Sequence, residues 1–247
     1  MNIYNHYSKH GFTVVKNFFP KKDIELLKNR IEKFIKKNQN KFNKKKGDIN
    51  FNKDKINSIH TLHRSKKEFE FIYKNKKLKK LLQKILSPKS SLRAMELFAK
   101  PAKFGMPSPM HQDNYLWNIK NGKGLTVWVC LDTSNKKNGG ISYLPDSHKY
   151  GTLAHEPSFA PGTSQAIKKK VLKKIIARKK VFTPNLFSGD ICIHSCLTVH
   201  GSNKNNSKNP RRGFTLQFKD KYAKYDREKI LAYRQSLKKQ ISLRSKI

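Results

Sequence analysis

Histidine and aspartate residues in two separated segments could together bind a metal ion. The first segment is His111-Gln112-Asp113. In an extended chain, residues two apart point to the same face, so this imidazole and this carboxylate can reach one point. The second segment, Gly189–Ser202, is an apolar strand that carries His194 and ends near His200. Two histidines and one carboxylate on separate strands form the facial triad that binds Fe(II) and leaves positions open for a cosubstrate and O₂.

Residue types and spacing leave other ligand choices open. His194 and His200 are six residues apart, so strand parity places both on the same face and does not decide between them. Cys192 and Cys196 could join His194 in a zinc site. All three lie within one predicted strand without a second ligand pair, so buried packing is the better expectation for the cysteines. A His-x-Asp segment alone is also common in surface loops.

An arginine pair begins another predicted strand. Parity from Arg211 to Phe218 places Arg211 on the more polar face and Arg212 on the face of Phe214. An inward-pointing guanidinium can hold a carboxylate through two parallel hydrogen bonds. Arg211 therefore suits a dicarboxylate ligand, and the alternative is that both arginines are solvated charges at the strand end.

The elements that must position these residues change character near residue 90. Before it, an apolar stretch at 11–15 predicts a strand, and apolar periodicity at 21–35 and 66–87 predicts two helices. Residues 36–56 are dominated by Lys and Asn, and we expect a mobile surface loop there. After residue 90, short strands alternate with turn residues, which favours a sandwich or barrel. The clearest strands are Leu92–Ala99, Leu125–Leu131, Gly140–Leu144, Asp190–Cys196 and Gly213–Phe218. Helices are also expected at 165–180 and 220–241.

Composition limits the class of protein. The chain has 247 residues, of which 36% are hydrophobic and 11% aromatic, enough for one domain with a substantial core and too many for a disordered chain. No apolar run reaches the roughly 18–20 residues of a membrane helix. The first twenty residues lack the apolar centre of a signal peptide, and three cysteines cannot form a disulfide framework. A cytoplasmic location is therefore expected.

The formal net charge of +39 could mark a nucleic-acid-binding protein. Most of the 55 cations are lysine, and abundant Lys, Asn and Ile together are typical of an AT-rich coding sequence. Grooves of DNA and phosphate clamps more often use arginine. We therefore expect a solvated surface without specific nucleic-acid binding, while attraction of an anionic small substrate stays open.

Taken together, these segments resemble the phytanoyl-CoA dioxygenase family of Fe(II)- and 2-oxoglutarate-dependent oxygenases. The likeness covers nearly the whole chain. Asp146 stands where the family usually has glycine, a turn position that Asp tolerates. The matching segments, in the family's order, are His10–Pro20, His111–Asn114, Trp128–Asp132, Asn138–Gly140, Leu144–His148, Gly189–Ser202 and Arg211.

The resemblance implies a mainly β fold with flanking α-helices. The expected core is a double-stranded β-helix, a jelly-roll, cupin-like barrel with N-terminal and C-terminal helices. We expect a single oxygenase domain over residues 1–247. It would comprise helical support at 1–89, a barrel core at 90–219 with an insert at about 155–185, and a C-terminal helix at 220–247.

The resemblance also assigns an iron site. Fe(II) would be held by His111, Asp113 and His200, and the Gly-Ser pair after His200 favours it over His194. 2-Oxoglutarate and O₂ would take the open positions, with release of succinate and CO₂. Similar halogenases have a small residue in place of Asp113, so hydroxylation, or a related oxidation such as desaturation, is expected here.

Cosubstrate and substrate residues follow from the same resemblance. Arg211 would bind the distal carboxylate of 2-oxoglutarate, Ser202 would add a hydrogen bond and Trp128 would wall the pocket. The alternative for the substrate residues is ordinary packing. Candidate contacts to a small-molecule substrate, not further specified, are Asn114, Tyr115, Trp117 and His155.

Some histidines stay outside these assignments. His60, His63 and Arg64 precede the second helix without a firm anchor in spacing, and His148 is expected to be a structural hydrogen-bonding residue of its turn. Two rival functions remain: a basic nucleic-acid-binding protein, and a barrel that binds a ligand without catalysis. The sequence does not indicate an oligomeric state.

Overall fold

The computed structural model describes residues 2–38, 40, 48–52, 54–158, 160 and 164–244. Its strands are β1 (Phe12–Val15), β2 (Ile49–Asn52), β3 (Lys55–Ile59), β4 (Ser90–Lys100), β5 (Ser108–His111), β6 (Gly124–Cys130), β7 (Ser142–Tyr143), β8 (His155–Pro157), β9 (Gln165–Ile167), β10 (Ile191–Ser195), β11 (His200–Ser202) and β12 (Arg211–Asp220). Its helices are α1 (Ile3–His10), α2 (Lys21–Asn38), α3 (Glu70–Tyr73), α4 (Lys76–Ile85), α5 (Asp113–Trp117), α6 (Lys169–Ile176) and α7 (Arg227–Arg244), with 3₁₀ turns at Leu62–Phe69 and Ser147–Tyr150.

Two antiparallel sheets organise the molecule. The large sheet has the strand order β1-β10-β6-β12-β4-β3-β2, and the small sheet has the order β5-β11-β7. Strands β8 and β9 pair separately. Within the described ranges no ladder joins the two main sheets, so the barrel is not closed and the architecture is an open jelly roll. The predicted mainly β fold with flanking helices is confirmed.

Strand parity divides the large sheet into two chemically different faces. Val127 of β6, Ile193 of β10 and Leu216 of β12 point to one face and are fully buried. This face packs against the helical layer, where α2 contributes apolar residues at helical spacing: Ile24, Leu27, Ile31 and Phe34. The alternate residues point to the inner face, which carries polar and aromatic side chains such as Thr126, Trp128 and His194.

The helices α2 and α4 cover the outer face of the large sheet. The α2 residues and the buried leucines of α4 belong to the same apolar cluster as the outer face of the sheet. Because helix and sheet each bury one face against the other, the inner face is left to carry function without carrying the main core.

Several expectations about elements were wrong or incomplete. The predicted loop at 36–56 contains part of a β-hairpin, β2 and β3, in which Ile49, Phe51, Ile56 and Ile59 stand among polar residues. Helix α1 was not predicted, although Asn2 caps it through its side chain. The C-terminal helix begins at Arg227, later than expected.

The predicted insert is more than a helix, since it holds the β8–β9 pair and then α6. Residues 159 and 161–163 of that insert lie outside the described residues. The same holds for 39, 41–47 and 53 of the predicted loop, and for the chain ends at residues 1 and 245–247.

Candidate active site

The His-x-Asp segment lies at the junction of a strand and a helix. His111 ends β5, and Asp113 begins α5 after Gln112 in an extended conformation. The segment was expected to be extended throughout, but the turn into α5 still directs both side chains to one point. His111 Nε2 lies 4.0 Å from Asp113 Oδ1.

His200 reaches the same carboxylate oxygen from the neighbouring strand. β11 pairs with β5 so that His200 stands opposite His111, and their ring centroids are 4.3 Å apart. His200 Nε2 lies 3.7 Å from Asp113 Oδ1. Ligand atoms of His111, Asp113 and His200 all lie within 4.8 Å of one another.

Backbone carbonyls set the tautomer of both histidines. His111 Nδ1 donates to the carbonyl of Pro109 at 2.8 Å, and His200 Nδ1 donates to the carbonyl of Thr198 at 2.9 Å. Each Nε2 atom therefore presents a lone pair toward Asp113, the arrangement that metal-binding imidazoles use.

The three side chains fit a divalent cation. Metal bonds of about 2.0–2.2 Å can join ligand atoms up to about 4.4 Å apart, close to the separations here. Imidazole and carboxylate are the ligands of non-haem Fe(II) sites, although nickel, cobalt and zinc also accept them. The His111, Asp113 and His200 group suits a facial Fe(II) site.

Burial and mutual charge set the protonation of these groups. Burial and the nearby His200 together lower the pKa of His111 to about 4. Burial likewise lowers the pKa of His200 to about 4. Burial acts to raise the pKa of Asp113, but the imidazoles of His200, His194 and His111 hold it well below its usual range. Neutral imidazoles around an ionised carboxylate are the protonation states in which these groups bind metals.

Two inner-face residues lie next to the other carboxylate oxygen of Asp113, Oδ2. Thr126 of β6 donates its hydroxyl to Asp113 Oδ2 at 2.7 Å. His194 of β10 lies opposite Thr126 in the sheet, and its Nε2 is 3.5 Å from the same oxygen without a hydrogen-bond partner. The geometry therefore groups His200 with Oδ1 and places His194 behind the carboxylate, beside Tyr143. Sequence reasoning did not find Thr126.

Arg211 points inward, as strand parity predicts. It is 3% exposed, and its Nε and Nη2 both donate to the carbonyl of Gly139. Arg212 points the other way and forms an ion pair with Asp132. The Asn138-Gly139-Gly140 segment thus orients Arg211. Gly139 has a φ of +72°, and a Cβ there would stand 2.5 Å from the carbonyl oxygen of Asn203.

A second buried basic residue, Lys100, lies beside Arg211. The two residues are cross-strand partners of β4 and β12, and Lys100 is 5% exposed. Its Nζ donates to the carbonyls of Met106 and Asn203 at 2.7 and 2.5 Å. Burial and the charge of Arg211 lower the pKa of Lys100 to about 6. Lys100 is therefore mostly neutral at pH 7 beside the charged Arg211, and an anion bound there would favour its protonated form. Among so many lysines, no sequence signal distinguished Lys100.

Trp128 covers the inner face beside Arg211. The guanidinium carbon of Arg211 lies 5.6 Å from its ring centroid. The ring passes directly over Gly213, where a Cβ would stand 2.1 Å from ring atoms. The structure therefore places Trp128 as a wall beside Arg211.

Ser202 is not brought to Arg211. Its hydroxyl makes no hydrogen bond to that guanidinium, although its carbonyl is 3.5 Å from Lys100 Nζ. Ser202 lines a surface groove of about 880 Å³ together with Asn203 and Ser108. Because the groove wall does not include the side chains of His111, Asp113 or His200, we locate the chemistry by the ligand geometry and not by this groove.

Three of the four candidate substrate residues have partners within the protein, and the fourth, Trp117, lies against a charged side chain. The side chain of Asn114 bonds to the backbone of Ile119 and to Thr152, so its polar atoms serve the local fold. Tyr115 stacks on His155 at 4.2 Å between ring centroids. His155 Nε2 accepts from the backbone N–H of Gln112, and burial lowers the pKa of His155 to about 4, so it positions the metal-binding segment. Trp117, in contrast, lies against the guanidinium of Arg93.

His60 and His148 have structural partners, whereas His63 Nδ1 is buried without a hydrogen-bond partner among the described residues. His60 Nδ1 donates to Glu96 at 2.8 Å, and His148 contacts the carbonyl of Ser8 at 3.1 Å. Asp146 adopts a φ of 62° and pairs with Lys179, as well as with His10. The cysteines are free and buried, and in the described part of the chain they form no metal-binding group.

Comparison with known proteins identifies similar sequences and folds. The family model for phytanoyl-CoA dioxygenase (PhyH) matches residues 7–213. The chain is 26% identical over 194 residues to the "Phytanoyl-CoA dioxygenase domain-containing protein 1 homolog" of Caenorhabditis briggsae, covering 72% of this chain and 64% of that protein. It is 23% identical over 216 residues to the "Probable alpha-ketoglutarate-dependent hypophosphite dioxygenase" of Stutzerimonas stutzeri, covering 83% and 73%.

Solved structures share the fold. EctD from S. alaskensis, crystallised with 2-oxoglutarate and 5-hydroxyectoine, superposes with a TM-score of 0.73 at 17% identity, covering 90% of this chain and 76% of that chain. The chain spans between 56% and 64% of the length of the first curated relatives that it matches. Among the described helices, none combines the length and the apolar character needed to cross a bilayer.

Proposed function

The chain belongs to the phytanoyl-CoA dioxygenase family, and we propose that it is an Fe(II)- and 2-oxoglutarate-dependent oxygenase that hydroxylates a small organic substrate. The observation that carries this proposal is the group of His111, Asp113 and His200 with both Nε2 lone pairs directed at one carboxylate. The buried guanidinium of Arg211 supplies the charge that a dicarboxylate cosubstrate requires, and Lys100 lies beside it as a further hydrogen-bond donor.

Each residue of the site has a definable task. When bound, Fe(II) would supply oxygen activation, with 2-oxoglutarate as the electron-donating cosubstrate and succinate and CO₂ as its products. Thr126 holds the orientation of Asp113 through one oxygen and leaves the other for the metal. The guanidinium of Arg211 binds the distal carboxylate of 2-oxoglutarate, and the indole of Trp128 shields that contact from water.

Anaerobic titration tests the cofactor chemistry. Metal-free protein is titrated with Fe(II), with and without 2-oxoglutarate, and the visible charge-transfer absorption of the chelated keto acid is recorded. We expect a band that requires both components. His111→Ala should abolish it, whereas His10→Ala, a histidine paired with Asp146 away from the site, should retain it. If correctly folded, metal-loaded protein gives no band, the ligand assignment is wrong.

Succinate formation separates an enzyme from a ligand-binding barrel. We expect slow conversion of 2-oxoglutarate to succinate coupled to O₂ uptake, accelerated by the true substrate. Asp113→Ala should lose this activity while keeping the thermal unfolding profile of a folded protein. An active Asp113→Ala variant would contradict the proposed iron site.

The proposed setting is the cytoplasm, where three buried free thiols stay reduced. We propose a single oxygenase domain whose partner is a small molecule and not a specific nucleic acid. Binding of DNA through the +39 surface should be nonspecific and should collapse at moderate salt, because counterion release drives it. Tight, sequence-preferring binding at physiological salt would instead support the nucleic-acid-binding alternative.

A further inference from the structure

Arg93 reaches the inner face of the large sheet because of a β-bulge. The register of β12 and β4 pairs Gln217 with Ala94 but Phe218 with Leu92, so Arg93 is an extra residue without a cross-strand partner. In a regular strand, Arg93 would share the outer face of Met95 with the apolar core. A bulge redirects a side chain, and Arg93 Nη1 donates instead to Gln217 Oε1 at 2.6 Å on the inner face.

A chain of hydrogen bonds fixes the orientation of Gln217. Its Nε2 donates to Glu96 Oε2 at 2.6 Å, and His60 Nδ1 donates to the other oxygen of Glu96 at 2.8 Å. Because the carboxylate accepts only donors, the amide oxygen of Gln217 must face Arg93. Sequence reasoning did not identify Arg93, Glu96 or Gln217 as site residues.

The guanidinium of Arg93 has no ionic partner. Among the described residues Arg93 forms no ion pair within 4.0 Å, and the bond to Gln217 uses only Nη1. Trp117 covers one face of the planar guanidinium, and its ring centroid is 4.7 Å from the guanidinium carbon. The Nε and Nη2 donors remain, and this edge has the two parallel N–H groups that bind a carboxylate or phosphonate bidentately. Burial lowers the pKa of Arg93 and outweighs the charges of Glu96 and Asp113, which raise it, so the guanidinium is incompletely compensated and an anion bound to it would be favoured.

Arg93 lies near the metal-binding carboxylate and apart from Arg211. Gln217 stands opposite Thr126, whose hydroxyl bonds to Asp113, and opposite Ala94 on the other side. Thr126 of β6 and Ala94 of β4 are therefore two strands apart. At about 4.8 Å per strand, their backbones are separated by about 10 Å. Arg211 lies six residues from Gln217 along β12, at the other end of the same face. Arg93 and Arg211 therefore lie at two separate places on the inner face.

We propose that Arg93, held by Gln217 and backed by Trp117, anchors an anionic group of the primary substrate. The ligand chemistry is a carboxylate or a phosphonate on a small molecule. This inference rests on the proposed function, because it names the substrate class of the same site. Arg93 is a specificity residue in this role, and Gln217 is the positioning residue that supports it.

Anion binding to the loaded protein tests this role. Protein with Fe(II) and 2-oxoglutarate under anaerobic conditions is titrated at constant ionic strength with butyrate, propylphosphonate and neutral butyramide. Tryptophan fluorescence reports binding; Trp117 at Arg93 and Trp128 at Arg211 both contribute to it, so the Arg93 variants are needed to assign the signal. We expect saturable quenching by at least one anion and none by butyramide. The anion that binds more tightly identifies carboxylate or phosphonate as the group recognised.

Matched variants connect the signal to Arg93. Arg93→Gln should weaken anion binding by about tenfold or more, because it removes a charged hydrogen-bonding partner. Arg93→Lys should recover part of the affinity, since it keeps the charge without the fork. Arg30→Gln, the same change on an exposed arginine of α2, should bind like the wild type. Equal anion binding by Arg93→Gln and wild type would overturn the proposal, as would equal binding of butyramide.

The charge-transfer band in the same samples separates this proposal from the proposed function. A normal band in Arg93→Gln with lost anion binding supports a substrate site distinct from Arg211. A normal band without any Arg93-dependent binding overturns the substrate site and leaves the oxygenase intact. An absent band in wild type, with Arg93-dependent anion binding present, overturns the oxygenase and with it the assignment of the anion as substrate.

Discussion

Thr126→Val is the sharpest test of how the sheet controls the metal site. Thr126 is 3% exposed, and its hydroxyl donates to Asp113 Oδ2 at 2.7 Å. Valine has nearly the same shape, so the strand should keep its packing while the hydrogen bond is lost. The other neighbour of that oxygen, His194 Nε2, is 3.5 Å away and is a poor replacement.

The magnitude follows from the loss of one hydrogen bond to a buried charge. Such a bond contributes about 1.5–3 kcal/mol. Residues that orient a metal ligand typically change metal affinity by about 10–100-fold, or about 1.4–2.8 kcal/mol, which agrees with the hydrogen-bond value. We therefore expect Fe(II) affinity to fall by about 10–100-fold in Thr126→Val.

Anaerobic competition against a chelator of known affinity measures the change. The matched control is Thr215→Val, on the same inner face, where the hydroxyl makes only a 3.4 Å contact to the carbonyl of Glu96. This control should bind Fe(II) within about twofold of wild type, as expected for a weak bond that does not reach the ligands. Unchanged affinity in Thr126→Val, or an equal loss in both variants, would refute the reasoning that Thr126 orients the carboxylate.

Three further perturbations probe the rest of the inner face. Arg211→Lys should weaken 2-oxoglutarate by about tenfold or more while Fe(II) binding stays unchanged, since the two-pronged contact is lost; a larger effect of Arg212→Lys on the same titration would contradict this assignment. Gly213→Ala should displace the ring of Trp128 and lower the free energy of unfolding by about 1–3 kcal/mol, visible in denaturant unfolding and near-UV circular dichroism; unchanged spectra would argue against the close contact. Burial lowers the pKa of His60, but the charge and hydrogen bond of Glu96 outweigh it and raise the pKa above the unfolded value of 6.5. Glu96→Gln should therefore lower stability most below pH 6.5, and its difference from wild type should shrink as the pH rises above that value; a pH-independent difference in unfolding free energy would remove His60 from the explanation.

Periodicity in the sequence was sufficient for the parts of the fold that rest on alternation or helical spacing. The inward direction of Arg211 and the outward direction of Arg212 followed from parity because β12 runs regularly from Arg211 to Gln217. The β-hairpin of β2 and β3 escaped detection because lysines and asparagines dominate its segment. Ile49 and Ile59 are buried, and β3 pairs with β4, which is a contact between distant parts of the chain.

The sequence likewise predicted which residue types could bind the metal, but not which side chains would contact each other in the fold. His111, Asp113 and His200 could be proposed from residue type, spacing and family resemblance, but parity left His194 as an equal alternative to His200. The tertiary structure distinguishes the two, because β11 pairs with β5 and places His200 opposite His111, while His194 lies in the other sheet behind Asp113.

Only the tertiary structure reveals the residues that act through position. Lys100 is one lysine among many until cross-strand pairing buries it beside Arg211. Arg93 would lie on the apolar face by parity, and a single bulge turns it to the inner face beside Gln217. The sequence by itself determined the fold class and the metal-binding residue types, because these depend on local periodicity and side-chain chemistry. The burial of Lys100 beside Arg211 and the inward turn of Arg93 depend on contacts between strands far apart in the chain, so only the folded structure decided them.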